Sequence, residues 1–124
     1  MKVSADKDGI KLELHGREQI WAFRAKILIP RKNIVSLRFE HTFKDWRKIE
    51  VRMPGTSVPG HLIAGSYWTD MGWDFLYVKN PSGFLRPTVQ DVLVVETDQN
   101  RFSRVIVSFD RKKAIKILEW WGKK

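Results

Sequence analysis

The chain has 124 residues, the length of one ordinary domain, and 43% of them are hydrophobic, which is enough to build a packed core. It contains no cysteine, which excludes disulfide scaffolds, cysteine nucleophiles and thiolate metal sites. Its start, MKVSADKDGIKLEL, lacks the apolar run of a signal peptide, and no stretch is apolar for long enough to cross a membrane. We therefore expect one domain, residues 1–124, in a cytoplasmic protein.

The positive charge is unevenly distributed along the chain. The formal net charge is +9, and residues 11–52 carry eleven Lys and Arg against five Asp and Glu. Residues 101–124 carry eight against two, whereas residues 53–100 carry two against five. If the two basic segments meet, they form a positive face for lipid headgroups, nucleic acid or an acidic protein. If they do not meet, the charges are a scattered surface that keeps the protein soluble.

Alternating apolar and polar residues predict strands in the first half of the chain. One pattern occupies residues 10–14, and a second occupies residues 21–29 and is ended by Pro30. In the third pattern Val35, Leu37 and Phe39 alternate with Ser36, Arg38 and Glu40. Residues 48–53 alternate again, and the prolines and glycines of residues 54–60 predict a loop.

Two hairpins and one helix are predicted in the second half. Residues 62–68 and 73–79 form the first hairpin, with Asp70-Met71-Gly72 as its turn and Gly72 free to take positive φ. Residues 91–97 and 102–109 are β-branched runs that form the second. Asp110 is a suitable N-cap for a helix that ends at Gly122. Its apolar stripe consists of Ala114, Ile115, Ile117, Leu118 and Trp121.

Three stretches, taken in order, resemble the bacterial pleckstrin-homology-like domains. They are ILIPRKNIVSLRFE at residues 27–40, PGHLIAGSYWTDMGWDFLYV at residues 59–78, and VLVVETDQNRFSRVIVSFDRKKAIKILEWW at residues 92–121. The resemblance implies a mainly β fold, in which two orthogonal sheets of about seven antiparallel strands form a partly open barrel capped by the C-terminal helix. The barrel would cover residues 9–109 and the helix residues 110–122. Eight strand candidates are visible here, and residues 44–53 hold the extra one.

The resemblance also implies a candidate lipid site. In lipid-binding pleckstrin domains a lysine near the end of the first strand and a basic-x-Arg motif on the second bind phosphoinositide. Lys11 matches the first position, Arg17 lies nearby in sequence, and Arg24-Ala25-Lys26 matches the motif with lysine in place of the arginine. Lysine is a point charge where arginine binds phosphate through two parallel hydrogen bonds. The alternative is that all four are solvated surface charges.

Two further groups are candidate binding residues. Trp68 and Trp73 flank the hairpin turn with Met71 between them, so they form either an aromatic clamp or an interface that inserts into a membrane or stacks a base. Arg111, Lys112 and Lys113 occupy the first helical turn, where the macrodipole favours anions. They are either an anion site together with free backbone N–H groups or exposed charges with little effect.

No catalytic motif is present. The three histidines, His15, His41 and His61, lie on different elements without a metal-ligand spacing, and phosphate-loop and nucleophile-elbow motifs are absent. Asp70 and Asp74 could in principle perform acid–base chemistry, but a turn aspartate and an edge-strand aspartate explain them more simply. We expect a protein that is not an enzyme, with no cofactor and no metal.

The expected function is that of an interaction module which binds a protein partner or assembles with itself. The alternative is peripheral binding to an anionic membrane or to phosphorylated ligands through a basic face. A further alternative is binding of single-stranded nucleic acid, since small basic barrels with surface aromatics perform that task.

Overall fold

The computed structural model describes residues 2–16, 26–43, 49–58, 62–81, 88–98 and 102–122, with the backbone alone in 49–58. The strands are β1 (Lys2–Asp6), β2 (Gly9–Glu13), β3 (Lys26–Pro30), β4 (Ile34–Phe43), β5 (Ile49–Val58), β6 (Leu62–Thr69), β7 (Gly72–Lys79), β8 (Val89–Thr97) and β9 (Arg104–Ser108). A 3-10 turn covers Arg31–Asn33, and helix α1 covers Arg111–Gly122. The protein is therefore mainly β with one C-terminal helix, as the sequence predicts.

Strands β1, β2 and β3 form a three-stranded antiparallel sheet in that order. The predicted alternation is confirmed in β2 and β3, where Ile10, Leu12, Ile27 and Ile29 are buried and Leu28 is half exposed. Strand β1 is not predicted by the sequence, because only two of its five residues are apolar. It forms because β2 offers it a partner edge.

The other six strands form one sheet in the order β4-β8-β9-β7-β6-β5. The two predicted hairpins are confirmed as β6–β7 and β8–β9. Strands β7 and β9 run parallel, with Asp74 opposite Arg104. The expectation of a wholly antiparallel arrangement is wrong at this pair, because the β8–β9 hairpin places β9, rather than β8, beside β7.

The structure corrects the predicted loop at residues 54–60. Strand β5 continues through Pro54 to Val58 and pairs with β6, with a register irregularity between Arg52 and Gly55. The proline is accommodated because β5 is an edge strand of the described sheet and the irregularity interrupts the ladder around it. The described strands are thus the eight candidates and, in addition, β1.

Apolar side chains cover both faces of the six-stranded sheet. On the first face, a cluster that includes Phe75, Tyr77 and Leu93 packs with residues of the three-stranded sheet and of α1. On the second face, a separate cluster includes Val94 and Ile106. Burial on both faces explains why β8 and β9 are continuous apolar runs rather than alternating patterns.

The six-stranded sheet is strongly curved. The guanidinium of Arg104 lies 5.5 Å from the ring centroid of Phe43. Along β8, however, Arg104 is opposite Glu96 and Phe43 is opposite Val89, near the two ends of the strand. The sheet must therefore coil so that its second face is concave. The described strands nevertheless form two separate sheets and not a closed barrel.

Helix α1 begins where the sequence predicts. The amide of Lys112 donates a hydrogen bond of 2.7 Å to Oδ1 of Asp110, which confirms Asp110 as the N-cap. Ala114 and Ile117 are buried, but Ile115 is 53% exposed. The stripe that reaches the core is therefore narrower than predicted, and one apolar side chain remains on the outer surface of the helix.

The other end of α1 is held by the 3-10 turn and by β1. Arg31 donates from Nη1 to the carbonyl of Trp120 (3.3 Å) and from Nη2 to that of Trp121 (3.0 Å). Its guanidinium also lies 4.5 and 5.1 Å from the two indole centroids. Nε1 of Trp120 donates to the carbonyl of Asp6 (3.1 Å). Arg31 thus satisfies carbonyls that the last helical turn leaves unpaired.

Candidate interaction site

The β6–β7 hairpin turns over two residues, Asp70 and Met71. The hydroxyl of Thr69 fixes this turn, because it donates to the carbonyl of Gly72 (2.7 Å) and accepts from the amide of Met71 (3.1 Å). Gly72 has φ +118°, as predicted, and a Cβ there would lie 3.1 Å from Oγ of Ser103. The turn is therefore rigid and packs against the start of β9.

Trp68 and Trp73 form the predicted aromatic clamp. Their ring centroids are 5.3 Å apart in an edge-to-face arrangement, and they are direct partners in the hairpin. Trp73 packs against the main core, while Trp68 is 38% exposed and Met71, at the tip, is 66% exposed. The clamp accounts for the geometry of both indoles, but it leaves one face of Trp68 and most of Met71 uncovered.

Three turns are hydrogen-bonded side by side at this end of the sheet. The amide of Ser103 donates to the carbonyl of Trp73 (2.8 Å), and that of Thr97 donates to the carbonyl of Ser103 (2.9 Å). The amide of Asp98 donates to the carbonyl of Asn33 (2.9 Å). The β6–β7 turn, the end of β8 and the start of β4 therefore share one edge of the molecule.

Val35 joins this edge through a β-bulge. The register of β4 against β8 shifts between Ile34 and Ser36, so Val35 is turned outward and is 60% exposed, while Ile34 and Leu37 are buried. The sequence predicts Val35 on the same face as Leu37, which is wrong because the bulge inserts one residue into the alternation.

We refer to Val35, Trp68, Asp70, Met71 and Asp98 together as the rim. Both aspartates are exposed. Of these five residues, the sequence singles out Trp68 and Met71 as candidate interface residues. The third candidate that it names, Trp73, packs beneath the rim and is not part of it. The sequence misses Val35 and Asp98, because only the strand order brings the start of β4 and the end of β8 to the same end of the sheet as the hairpin turn.

The candidate lipid-binding residues are only partly brought together. Lys11 and Lys26 lie on the outer face of the three-stranded sheet, one register step apart, since Lys11 is opposite Leu28 and Lys26 is opposite Glu13. Glu13 is also opposite Lys2 on the other side and two residues from Lys11, so one carboxylate neighbours both lysines. The other two candidate lipid-binding residues, Arg17 and Arg24, lie outside the described residues. The same holds for Trp21 and Phe23 of the predicted second strand and for His61.

Arg111, Lys112 and Lys113 are exposed on the first turn of α1. The helix meets the three-stranded sheet at its other end, through Trp120, roughly 14 Å away along the helix axis. These three cations and the pair formed by Lys11 and Lys26 therefore do not form one continuous site in the described structure.

The two aspartates spaced for acid–base chemistry have different environments. Asp70 is exposed on the hairpin turn. Asp74 is buried, and its Oδ2 accepts hydrogen bonds from Nε (3.2 Å) and Nη2 (2.8 Å) of Arg104. With side chains 4% and 2% exposed, Asp74 and Arg104 form a buried ion pair. Asp74 therefore has its charge neutralised inside the sheet, away from Asp70.

Two further charged groupings lie along β4. Arg38 donates to Glu40 (3.1 Å) and Glu96 (2.9 Å). Burial alone would lower the pKa of its guanidinium, but these hydrogen bonds and charges outweigh burial and raise the pKa. His41 Nδ1 lies 2.8 Å from Oδ1 of Asp91, on an exposed part of the surface. The sequence misses this pair because its members are 50 residues apart.

Comparison with known proteins gives no match: the sequence fits no family model, no curated protein and no solved structure. Among the described residues, no helix is both long and apolar enough to cross a lipid bilayer. In those same segments, no three histidine or carboxylate side chains come close enough to hold a metal ion together. Of the predicted groups of binding residues, the one that the structure assembles most completely is Trp68, Met71 and Trp73, at the hairpin turn.

Proposed function

We propose that the protein is a non-enzymatic interaction module, which binds a protein partner or another copy of itself through the rim. The fold proposed for this module is a pleckstrin-homology-like barrel. The curved six-stranded sheet, the second sheet and the C-terminal helix support that assignment, and the parallel β7–β9 pair departs from it.

The observation that carries the proposal is the exposure of three large apolar side chains at one end of the sheet. Val35, Trp68 and Met71 are 60%, 38% and 66% exposed, and Asp70 and Asp98 are exposed at the same end of the sheet. Apolar patches bordered by polar groups mark interaction surfaces, and tryptophan and methionine are enriched in them. Because hydrogen bonds between turns hold the rim in place, a partner would meet a preformed surface.

Strand addition at a sheet edge is a weaker route to the same function. Among the described strands, β1 and β3 are edges of only five residues, and β3 ends in Pro30. The β4 edge carries the bulge at Val35, and β5 has register irregularities near its start, between Ile49 and Val51, and around Pro54. Short edges, prolines and bulges all disfavour pairing with another strand.

The alternative is peripheral binding to an anionic membrane or to phosphorylated ligands. The shared outer face of Lys11 and Lys26 supports it, and Glu13, which neighbours both, opposes it. Binding of single-stranded nucleic acid to Trp68 ranks lower, because Asp70 and Asp98 would repel phosphates at the rim.

The test is the mass of the full chain by light scattering after size exclusion, at low and high salt. We expect either a multiple of 14.6 kDa or a stoichiometric complex with a captured protein, maintained at high salt. Met71→Lys should abolish it. Leu28→Lys, which adds the same charge at a half-exposed position on the other sheet, should not.

A different result would overturn the proposal. The membrane alternative is correct if the chain is a monomer that co-sediments with anionic vesicles and if this binding depends on the lysines. In that case Lys11→Ala combined with Lys26→Ala removes vesicle binding, and Met71→Lys does not. A steep loss of oligonucleotide binding with salt would instead identify nucleic acid as the ligand.

A further inference from the structure

The outer surface of α1 carries a second exposed apolar side chain among charges. Ile115 is 53% exposed. Arg111 and Lys112 lie one turn before it on the same side of the helix, and Lys116 follows it directly. All three cations are exposed. We call Arg111, Lys112, Ile115 and Lys116 the helix patch. Because Glu119 lies one turn further on, the positive charge of the helix patch is concentrated towards the start of α1.

The helix patch begins at the end of the six-stranded sheet opposite the rim, and α1 then runs back towards the 3-10 turn, which lies beside the rim. Strand β9 starts beside the rim, where Ser103 is hydrogen-bonded to Trp73, and runs away from it to Ser108. The helix patch follows two residues later, after roughly 17 Å of strand. Within one molecule the two surfaces therefore cannot cover each other.

The two surfaces are complementary in charge and in apolar content. The described part of the rim presents Trp68, Met71 and Val35 with two carboxylates, Asp70 and Asp98. The helix patch presents one aliphatic side chain with three cations. An apolar contact surrounded by opposite charges combines the burial that stabilises an interface with the electrostatic matching that orients it.

We infer that copies of this chain associate head to tail, with the helix patch of one copy seated on the rim of the next. The inference rests on the proposed function and names the partner and the two surfaces. Because the surfaces differ, the contact is heterologous, and repeating it gives a ring if the rotation closes and an open filament if it does not.

The apolar part of the contact is tested by single substitutions at exposed positions. Ile115→Lys and Met71→Lys each place a charge in the centre of the contact and should weaken association at least about tenfold, the typical loss at a central interface residue. Leu28→Lys is the matched control and should leave the association constant unchanged. Sedimentation velocity over a wide range of concentration measures all four proteins, including the wild type.

The charged part is tested by mixing two reversed variants. One carries Asp70→Lys with Asp98→Lys on the rim, and the other carries Arg111→Glu with Lys112→Glu on the helix. Each alone opposes like charges and should stay monomeric. An equimolar mixture restores opposite charges at every contact and should associate. Circular dichroism is used to check that each variant is folded. If a reversed variant does not fold, the inference is tested by the single substitutions alone.

The outcomes separate this inference from the proposed function. One outcome would overturn the helix contact while the rim remains an interaction site. In that outcome Met71→Lys weakens association, but Ile115→Lys and the helix reversal leave it intact. A wild-type chain that is monomeric at every concentration overturns self-association, and binding of a different protein at the rim would then still support the proposed function. Loss with both single substitutions and recovery in the mixture establishes the head-to-tail contact.

Discussion

Asp74 and Arg104 are ionised side chains that lie almost wholly inside the protein, directly opposite each other on the parallel strands β7 and β9. Taking two charges out of water is costly, and their attraction in the interior repays that cost only while both are present. Their hydrogen bonds also fix the register of a parallel pairing that no tight turn defines. We therefore expect the pair to contribute more to the specificity of the β7–β9 pairing than to net stability.

Arg104→Met leaves the carboxylate of Asp74 buried without its ion-pair partner, so we expect a loss of about 3 kcal/mol or more in the free energy of unfolding. Urea denaturation followed by circular dichroism measures this loss. Arg38→Met removes a partly exposed arginine with two carboxylate partners and should cost about 1 kcal/mol or less. Equal losses in the two variants would contradict a special cost of burial at Arg104.

Residue patterns predict burial well where a regular strand continues and fail where its geometry changes. Ile10, Leu12 and Ile29 are buried as their alternation indicates. Val35 is not buried, because a β-bulge turns its side chain outward, and nothing in the neighbouring sequence predicts that bulge. Ile115 fits an apolar stripe in sequence, yet it stays exposed because the surface beneath α1 is narrower than the stripe.

Elements defined by neighbouring residues are the ones that the sequence predicts. The β6–β7 and β8–β9 hairpins and α1 depend on local turns and on an N-cap, and all three are confirmed. Strand β1, the extension of β5 past Pro54 and the parallel β7–β9 pair depend on distant partner strands. Their own residues carry too weak a signal to predict them.

The last turn of α1 depends on Arg31. Arg31→Met removes two charge-assisted hydrogen bonds and the stacking on Trp120 and Trp121, and we expect the free energy of unfolding to fall by about 2 kcal/mol. Urea denaturation provides the measurement. Lys32→Met, at the exposed neighbouring position, should change it by less than about 0.5 kcal/mol. A comparable loss at Lys32 would show that the effect is not specific to the helix cap.

Burial differs greatly across the whole molecule. The middle residues of β8 and β9, including Val94, Val95, Val105 and Ile106, are 0–1% exposed, and both strands are paired on both sides. We therefore expect the slowest amide hydrogen exchange in these two strands, close to the rate set by global unfolding. The edge strands β1 and β3 should exchange faster. Mass-spectrometric exchange resolved to single strands tests this order, and uniform protection would contradict it.

The rim shows what only the whole molecule can reveal. The aromatic clamp of Trp68 and Trp73 follows from one hairpin, so the sequence is sufficient to predict it. The rim also needs Val35 and Asp98, which are 33 and 30 residues from Trp68 in the sequence. Only the strand order places them at the same end of the sheet. Net charge gives no warning either, because a chain of charge +9 presents two carboxylates there.

The hydrogen bond from Trp120 to the carbonyl of Asp6 joins the first strand to the last helical turn, across 114 positions of the chain. On a ribosome, β1 is made long before the residue that completes its packing. Part of the apolar face of the three-stranded sheet therefore stays exposed to water until α1 has been synthesised. A pause in translation before residue 111 would prolong that exposure and give chaperones, or other nascent chains, the time to bind it.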